Sequence, residues 1–115
     1  MAQQELRSES RVSVSKKGTL SNGTDQFPCI LQDMSDSGCM LMCTRPIEVG
    51  QILDFECEVY PSKTIRCKLE VMHSFNGDIG SRILEMDEES VKLVQLFLQE
   101  NFAGKLGRYA PKQRY

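Results

Sequence analysis

Two short patterns of chemically capable residues stand out in the sequence. Arg7 and Arg11 form the pattern R-x-x-x-R near the start, and Asp33, Ser35 and Gly38 form D-x-S-x-x-G further along. Arginine offers a planar fork of N–H donors, a carboxylate accepts hydrogen bonds, and a hydroxyl can donate or accept them. Each pattern alone is ordinary, since exposed arginines are usually solvated and Asp, Ser and Gly are common in hairpin turns. Their joint occurrence favours a ligand-binding site.

In this order and at this spacing, the two patterns resemble the signature of the PilZ domain, the bacterial β-barrel receptor for cyclic di-GMP. That ligand carries two guanine bases and two phosphodiester charges. The resemblance implies that Arg7 and Arg11 contact guanine and phosphate, because a guanidinium can both hydrogen-bond a guanine edge and stack on a purine. It implies that Asp33 accepts hydrogen bonds from guanine, while Ser35 bonds to a phosphate or a base. Gly38 would give a sharp turn with a positive φ and room for the ligand.

The resemblance covers roughly residues 6–100 and shows modest departures. Residues 8–10 separate the arginines where the family often has further arginines, and Ser37 replaces the first glycine of a frequent Gly-Gly pair. An uncharged Leu6 precedes the first arginine, which favours a single bound ligand. The stretch 80–83 resembles the glycine and arginine of the family's last strand. Secondary ligand contacts are therefore expected at Leu6, Ser37, Gly80 and Arg82.

The hydrophobic pattern predicts a mainly β protein. Residues 51–60 and 64–73 alternate apolar and polar side chains, as half-buried strands do. Turn formers such as Asn76-Gly77-Asp78 separate the strand-like runs. Six short strands followed by one helix predict a six-stranded antiparallel β-barrel with a C-terminal α-helix, which is also the topology that the resemblance implies.

The loop between the two alternating strands decides which residues face one another. A three-residue loop from Pro61 to Lys63 keeps both inward-facing sets on the same side of the hairpin. It predicts three cross-strand pairs, two of them between opposite charges. These pairs are Tyr60 with Thr64, Glu58 with Arg66, and Glu56 with Lys68.

A helix is predicted from Glu88 to about Phe102, with Asp87 as its N-cap and Gly104 as its stop signal. Its apolar residues cover more than one face, which is typical of a helix that is deeply buried or shared with a partner. One stripe is predicted to seal the barrel, and a second group to lie largely on the other side. The stripe is Val91, Val94 and Leu98, and the second group is Leu93, Leu96, Phe97 and Glu100. The helix at 88–102 is thus a candidate surface for an effector protein or for self-association.

The length of 115 residues fits one domain. The expected organisation is a flexible arm at 1–11, a barrel with its helix at 12–103, and a basic tail at 104–115. The net charge is −2, but both ends of the chain are basic and the middle is acidic. An acidic body repels a dianion, so the arginines of the arm have to supply the local attraction.

Several function classes lack support in the sequence. No apolar run is long enough for a transmembrane helix and no secretory signal is recognised, so a cytoplasmic location without membrane insertion is expected. The five cysteines are odd in number and lack a C-x-x-C pair, which predicts buried thiols instead of a metal site. His73 has no catalytic partner pattern. Without a nucleophile–base set or a P-loop, we expect no enzyme and no cofactor apart from the ligand.

The function that the resemblance implies is a stand-alone cyclic di-GMP receptor. Ligand binding would draw the arm onto the barrel, and a partner protein in motility, chemotaxis, adhesion or biofilm control would read the change. One alternative is a PilZ-like adaptor that binds only protein through its helix. Another is a small barrel that binds single-stranded nucleic acid, although low aromatic content and an acidic body favour neither stacking nor DNA binding.

Overall fold

The computed structural model describes residues 12–109, with side chains up to Asn101. Both Arg7 and Arg11, the rest of the predicted arm and residues 110–115 lie outside the described residues. Six strands are followed by one helix. The strands are β1 (Val12–Ser21), β2 (Gln26–Met34), β3 (Gly38–Met42), β4 (Ile52–Tyr60), β5 (Lys63–Phe75) and β6 (Asp78–Met86), and the helix is α1 (Glu88–Tyr109).

The strands form a closed antiparallel barrel, which confirms the predicted fold class. The order around the barrel is β1, β2, β3, β6, β5 and β4, and β4 pairs with β1 to complete the ring. Closure leaves every strand of the barrel paired on both sides, so the barrel presents no open sheet edge.

Alternation of apolar and polar residues explains which side of each strand faces the core. The side chains predicted to point inward from β4 and β5 are all buried. Their polar neighbours along each strand remain exposed or half-buried. The buried set is Leu53, Phe55, Cys57 and Val59 from β4, and Ile65, Cys67, Leu69 and Val71 from β5.

All five cysteines lie buried and unbridged in the core, as the sequence predicted. Burial raises the pKa of Cys29 and Cys67 to about 12 and that of Cys57 to about 11. These thiols therefore stay protonated at neutral pH and pack as small hydrophobic groups. Among the described residues, no group of His, Cys, Asp and Glu is arranged to hold a metal ion.

The predicted register of the β4–β5 hairpin is wrong by two residues. Tyr60 pairs with Lys63, so the turn holds only Pro61 and Ser62, and Ser62 adopts a φ of 63°. A bulge between Glu58 and Tyr60 accompanies this shorter turn. Opposite charges still face one another, but in different pairs. The observed pairs are Glu58 with Thr64, Glu56 with Arg66, and Asp54 with Lys68.

Two hydrogen bonds of Ser90 fix the start of α1, one within the N-cap and one to β5. The backbone N–H of Ser90 donates to Oδ1 of Asp87 at 2.7 Å, so Asp87 is the N-cap, as predicted. The same hydrogen bonding lowers the pKa of Asp87. The backbone N–H of Arg66 donates to the buried Ser90 hydroxyl at 2.8 Å. Because Ser90 satisfies a strand N–H, it fixes the start of the helix on the barrel.

The face of α1 that packs on the barrel differs from the predicted stripe. Phe97 is buried with Val94 and Leu98, whereas Val91 is 38% exposed. The reason is the rim residue Tyr60, whose ring meets Phe97 edge to face with centroids 6.1 Å apart. Leu96 is 44% exposed, in agreement with its predicted place on the outer side.

The helix also extends beyond its predicted end. It runs to Tyr109, so Gly104 does not stop it and the first part of the predicted basic tail is helical. A glycine inside a helix costs only about 1 kcal/mol relative to alanine, which the rest of a long helix can offset. In the described part of the chain, α1 is not apolar enough over its length to cross a membrane.

Candidate functional site

The D-x-S-x-x-G pattern forms the turn between β2 and β3. The Ser35 hydroxyl lies at its centre, where it accepts from the backbone N–H groups of Ser37 at 3.3 Å and Gly38 at 3.2 Å. The backbone N–H of Ser35 also donates to the carbonyl of Gly38 at 2.9 Å. Ser35 is fully buried. Its observed role is therefore to shape the turn, and its predicted ligand contact stays a prediction.

A β-bulge places Asp33 on the outside of the barrel. The register of β2 against β3 shifts between Leu31 and Asp33, so Gln32 is an extra residue on β2. Strict alternation from the buried Leu31 would point Asp33 into the core. The bulge turns Met34 inward instead, and Met34 is fully buried while Asp33 is partly exposed. Asp33 is thus on the outer side of the barrel.

Gly38 permits close contact between β3 and β6. A Cβ atom on Gly38 would lie 2.2 Å from the carbonyl oxygen of Ser81. The adjacent Ser37 carbonyl accepts from the backbone N–H of Ile83 at 2.8 Å, which ties the turn to β6. Gly38 does not have a positive φ, so that prediction is wrong. Its missing side chain serves strand packing.

Two predicted secondary contacts, Gly80 and Arg82, lie on β6 directly beside this turn. Gly80 pairs with Met40, which in turn pairs with Asp33, and Arg82 pairs with Gly38. Six predicted positions lie in the described part of the chain. Asp33, Gly38, Gly80 and Arg82 lie on three adjoining strands, β2, β3 and β6, and Ser35 and Ser37 lie in the turn between β2 and β3.

The first arginine pattern and Leu6 lie outside the described residues, but the chain that carries them enters the barrel beside the site. Val12, the first residue of β1, pairs with Met34, and Ser13 pairs with Asp33. Arg11 is bonded to Val12, and Val12 pairs with Met34, the residue just before Ser35. Consecutive Cα atoms are about 3.8 Å apart. Arg7 can lie up to about 18 Å from Val12.

Two residues beside the site were not predicted to belong to it. The imidazole of His73 lies over Gly80, where an added Cβ would be 2.1 Å from its Cε1 atom. Glu70 binds Arg82 through an ion pair of 2.7 Å. The sequence shows both residues on an alternating strand, but it does not show the bulges in the β5–β6 register that set their partners.

A groove of about 560 Å³ in the described part of the chain lies away from the turn. That groove runs along β4 and β5 toward the start of α1. Its charged lining includes the ion pairs Asp54–Lys68 and Glu56–Arg66. Because those charges are already paired, the groove offers no concentrated charge for a dianion.

A profile of the PilZ domain matches residues 5–100, so the chain belongs to the PilZ domain family. No curated protein matches the chain.

Solved structures share the fold at low sequence identity. The inhibitor of motility MotI/DgrA from Bacillus subtilis has 11% identity and a TM-score of 0.77, over 89% of this chain and 54% of that one. The PilZ domain of YcgR from Escherichia coli with c-di-GMP has 10% identity and a TM-score of 0.72, over 90% and 97%. PlzA from Borreliella burgdorferi in complex with c-di-GMP has 15% identity and a TM-score of 0.63, over 83% and 41%. This chain thus spans about half of the MotI chain.

Alanine substitutions at the two site glycines should separate backbone packing from side-chain packing. Gly38→Ala meets the Ser81 carbonyl and should lower the free energy of unfolding by about 1–3 kcal/mol, typical of overpacking. The three atoms nearest to an added Cβ at Gly80 all belong to the His73 ring, so the additional change His73→Ala should restore most of the loss in Gly80→Ala. Urea unfolding of the single and double variants measures both effects. An equal response of Gly38→Ala to His73→Ala would contradict this assignment.

Proposed function

We propose that this protein is a cyclic di-GMP receptor that signals through a partner protein. The observation that carries the proposal is the convergence of the two sequence patterns. Asp33, the Ser35–Gly38 turn and Arg82 adjoin the point where the chain bearing Arg7 and Arg11 enters β1. The family assignment and the bound ligand of the YcgR and PlzA structures support the same ligand class.

Each part of the site matches one chemical feature of the ligand. Asp33 accepts from the N–H groups of a guanine edge, and the arginines offer forks to guanine acceptors and to phosphates. Ser35 acts by holding the turn that presents Asp33 and Ser37. Arg82, exposed beside that turn, is positioned for a phosphate.

Signalling follows from how the arginines are attached to the barrel. The ligand contacts the barrel face and the segment 1–11 at once, so binding draws that segment onto the barrel. A partner protein then distinguishes the bound from the free arrangement. Control of motility, chemotaxis, adhesion or biofilm formation is the expected output of such a receptor.

Removing either arginine of the first pattern should weaken ligand binding. Arg7→Ala and Arg11→Ala should each cost about 1–3 kcal/mol, as expected for the loss of a bidentate charged contact. Calorimetric titration with cyclic di-GMP measures the loss. Arg66→Ala is the matched control, because Arg66 pairs with Glu56 away from the turn. GTP and a short oligonucleotide serve as control ligands, and preferential binding of the oligonucleotide would favour the nucleic-acid alternative. Wild-type affinity in both arginine variants would contradict their role.

The segment 1–11 should become ordered when the ligand binds. The ligand binds its two arginines, and its C-terminal end continues into β1 at Val12. Amide relaxation measured with and without saturating cyclic di-GMP should show restricted motion of these residues only in the complex. Residues 110–115 are the internal control and should not change. Identical relaxation of 1–11 in both states would argue against a signalling arm.

We further propose that the outer side of α1 is the partner surface, either for an effector or for a second copy. Leu96 is exposed there and is not needed for core packing. Leu96→Glu should therefore keep the fold and cyclic di-GMP binding but weaken association, because it places a charge in an apolar contact. Light scattering over a range of concentrations measures self-association, and calorimetry measures ligand binding.

The neighbouring exposed change Gln95→Glu adds the same charge without removing an apolar side chain, and it serves as the matched control. Unfolding of Leu96→Glu would place Leu96 in the core. Unchanged association would place the surface elsewhere. A wild type that stays monomeric at every concentration would leave only the effector form of the proposal.

A further inference from the structure

Arg82 on β6 is held by a carboxylate on the neighbouring strand. Its Nε and Nη2 atoms both donate to Oε1 of Glu70 on β5, each at 2.7 Å. Glu70 is directly opposite Arg82 in the β5–β6 register, and Gly38 is opposite Arg82 on the other side. The Arg82 side chain is 60% exposed and the Glu70 side chain 26%. A solvent-accessible cation beside the turn therefore already carries an anion.

We propose that Glu70 sets the affinity of the receptor by competing with the ligand for Arg82. This inference rests on the proposed function, because it takes the ligand to be cyclic di-GMP. In the free protein the Glu70 carboxylate is hydrogen-bonded to the Arg82 guanidinium. In the complex a ligand phosphate takes that place. Glu70 acts through Arg82 and is a positioning residue, not a ligand contact.

The competition follows from the chemistry of the guanidinium group. Carboxylate and phosphate oxygens use the same planar fork of donors, so each displaces the other from Nε and Nη2. The Arg82 end of the ion pair is solvent-exposed, and ion pairs at a protein surface are weak, so a dianion can exchange with Glu70. After exchange, the Glu70 charge still lies about one strand spacing away and repels the phosphate. Both effects make the affinity of the receptor for cyclic di-GMP lower than it would be if Arg82 were unpaired.

A second ion pair on the barrel provides a matched comparison. Glu56 and Arg66 face one another across β4 and β5 at 3.4 Å, and both are exposed. Arg66 precedes Glu70 on β5 and lies at the end of the strand that contacts the start of α1. The change Glu56→Gln therefore removes the same charge from the same residue type, but away from the turn.

Calorimetric titration of the full chain with cyclic di-GMP tests the proposal. Glu70→Gln should bind roughly 3- to 10-fold more tightly than wild type, since a nearby like charge is removed. The gain should shrink as salt is raised, and Glu56→Gln should bind like wild type. Arg82→Gln should bind more weakly, and adding Glu70→Gln to it should recover little, because the competition requires Arg82.

A spectroscopic measurement tests the exchange itself. The Nε–H resonance of Arg82 should shift on saturation with cyclic di-GMP, and in the free protein it should also shift on the change Glu70→Gln. The free energy of unfolding of each variant, measured with urea, should stay within about 0.5 kcal/mol of wild type, since the pair lies at the protein surface. If the Arg82 resonance does not shift when cyclic di-GMP is added, the proposed exchange is overturned.

The outcomes separate this inference from the proposed function. Unchanged or weaker binding by Glu70→Gln overturns the competition, and weaker binding would mean that Glu70 holds Arg82 ready for the ligand. An equal gain in Glu56→Gln, or an undiminished gain without Arg82, also overturns it, because the effect would then be general charge. If no protein in the series binds cyclic di-GMP, the proposed function fails and this inference fails with it.

Discussion

The candidate site depends on the close approach of β3 to β6 at Gly38. The missing side chain lets the Ser81 carbonyl come where a Cβ would otherwise lie, and the Ser37 carbonyl accepts a hydrogen bond from Ile83. This contact serves two purposes at once. It completes the barrel between strands that are distant in the sequence, and it sets the turn beside Arg82. Barrel closure and assembly of the site are therefore one structural event.

The parts of the fold that periodicity controls could be predicted from the sequence. Alternation gave the buried faces of β4 and β5, because a side chain's face in a regular strand depends only on whether its position is odd or even. Family resemblance predicted Asp33, Ser35 and Gly38 as ligand contacts. The structure places the turn that contains Ser35 beside Gly80 and Arg82 on β6, while the ligand contacts stay a prediction. The arginine pattern carries the same prediction, but it lies outside the described residues.

The parts that depend on irregular backbone could not be predicted in this way. A positive φ at Ser62 shortened a turn that the residue types assigned to three residues, and the hairpin register moved by two. The extra residue Gln32 reversed the inside–outside order just before Asp33. An extra residue on β6, Leu84, and one on β5, Met72, likewise set the register in which Glu70 faces Arg82. The packed face of α1 was set by Tyr60, a neighbour that helical periodicity alone does not identify.

The charges around the site explain why Arg7 and Arg11 are needed for the proposed function. The described turn and the strands beside it carry Asp33, Asp36 and Glu70 against Arg82, so the charges of these four residues sum to a negative value, which does not favour a dianion. The remaining positive charge has to come from Arg7 and Arg11. Ligand binding and attachment of the segment 1–11 to the barrel are then thermodynamically linked. A partner that binds the segment away from the barrel lowers the affinity for the ligand by some factor, and the ligand lowers the affinity for that partner by the same factor. A basic barrel face would bind the ligand without the segment and would transmit nothing, whereas an acidic face makes occupancy of the site depend on where the segment lies.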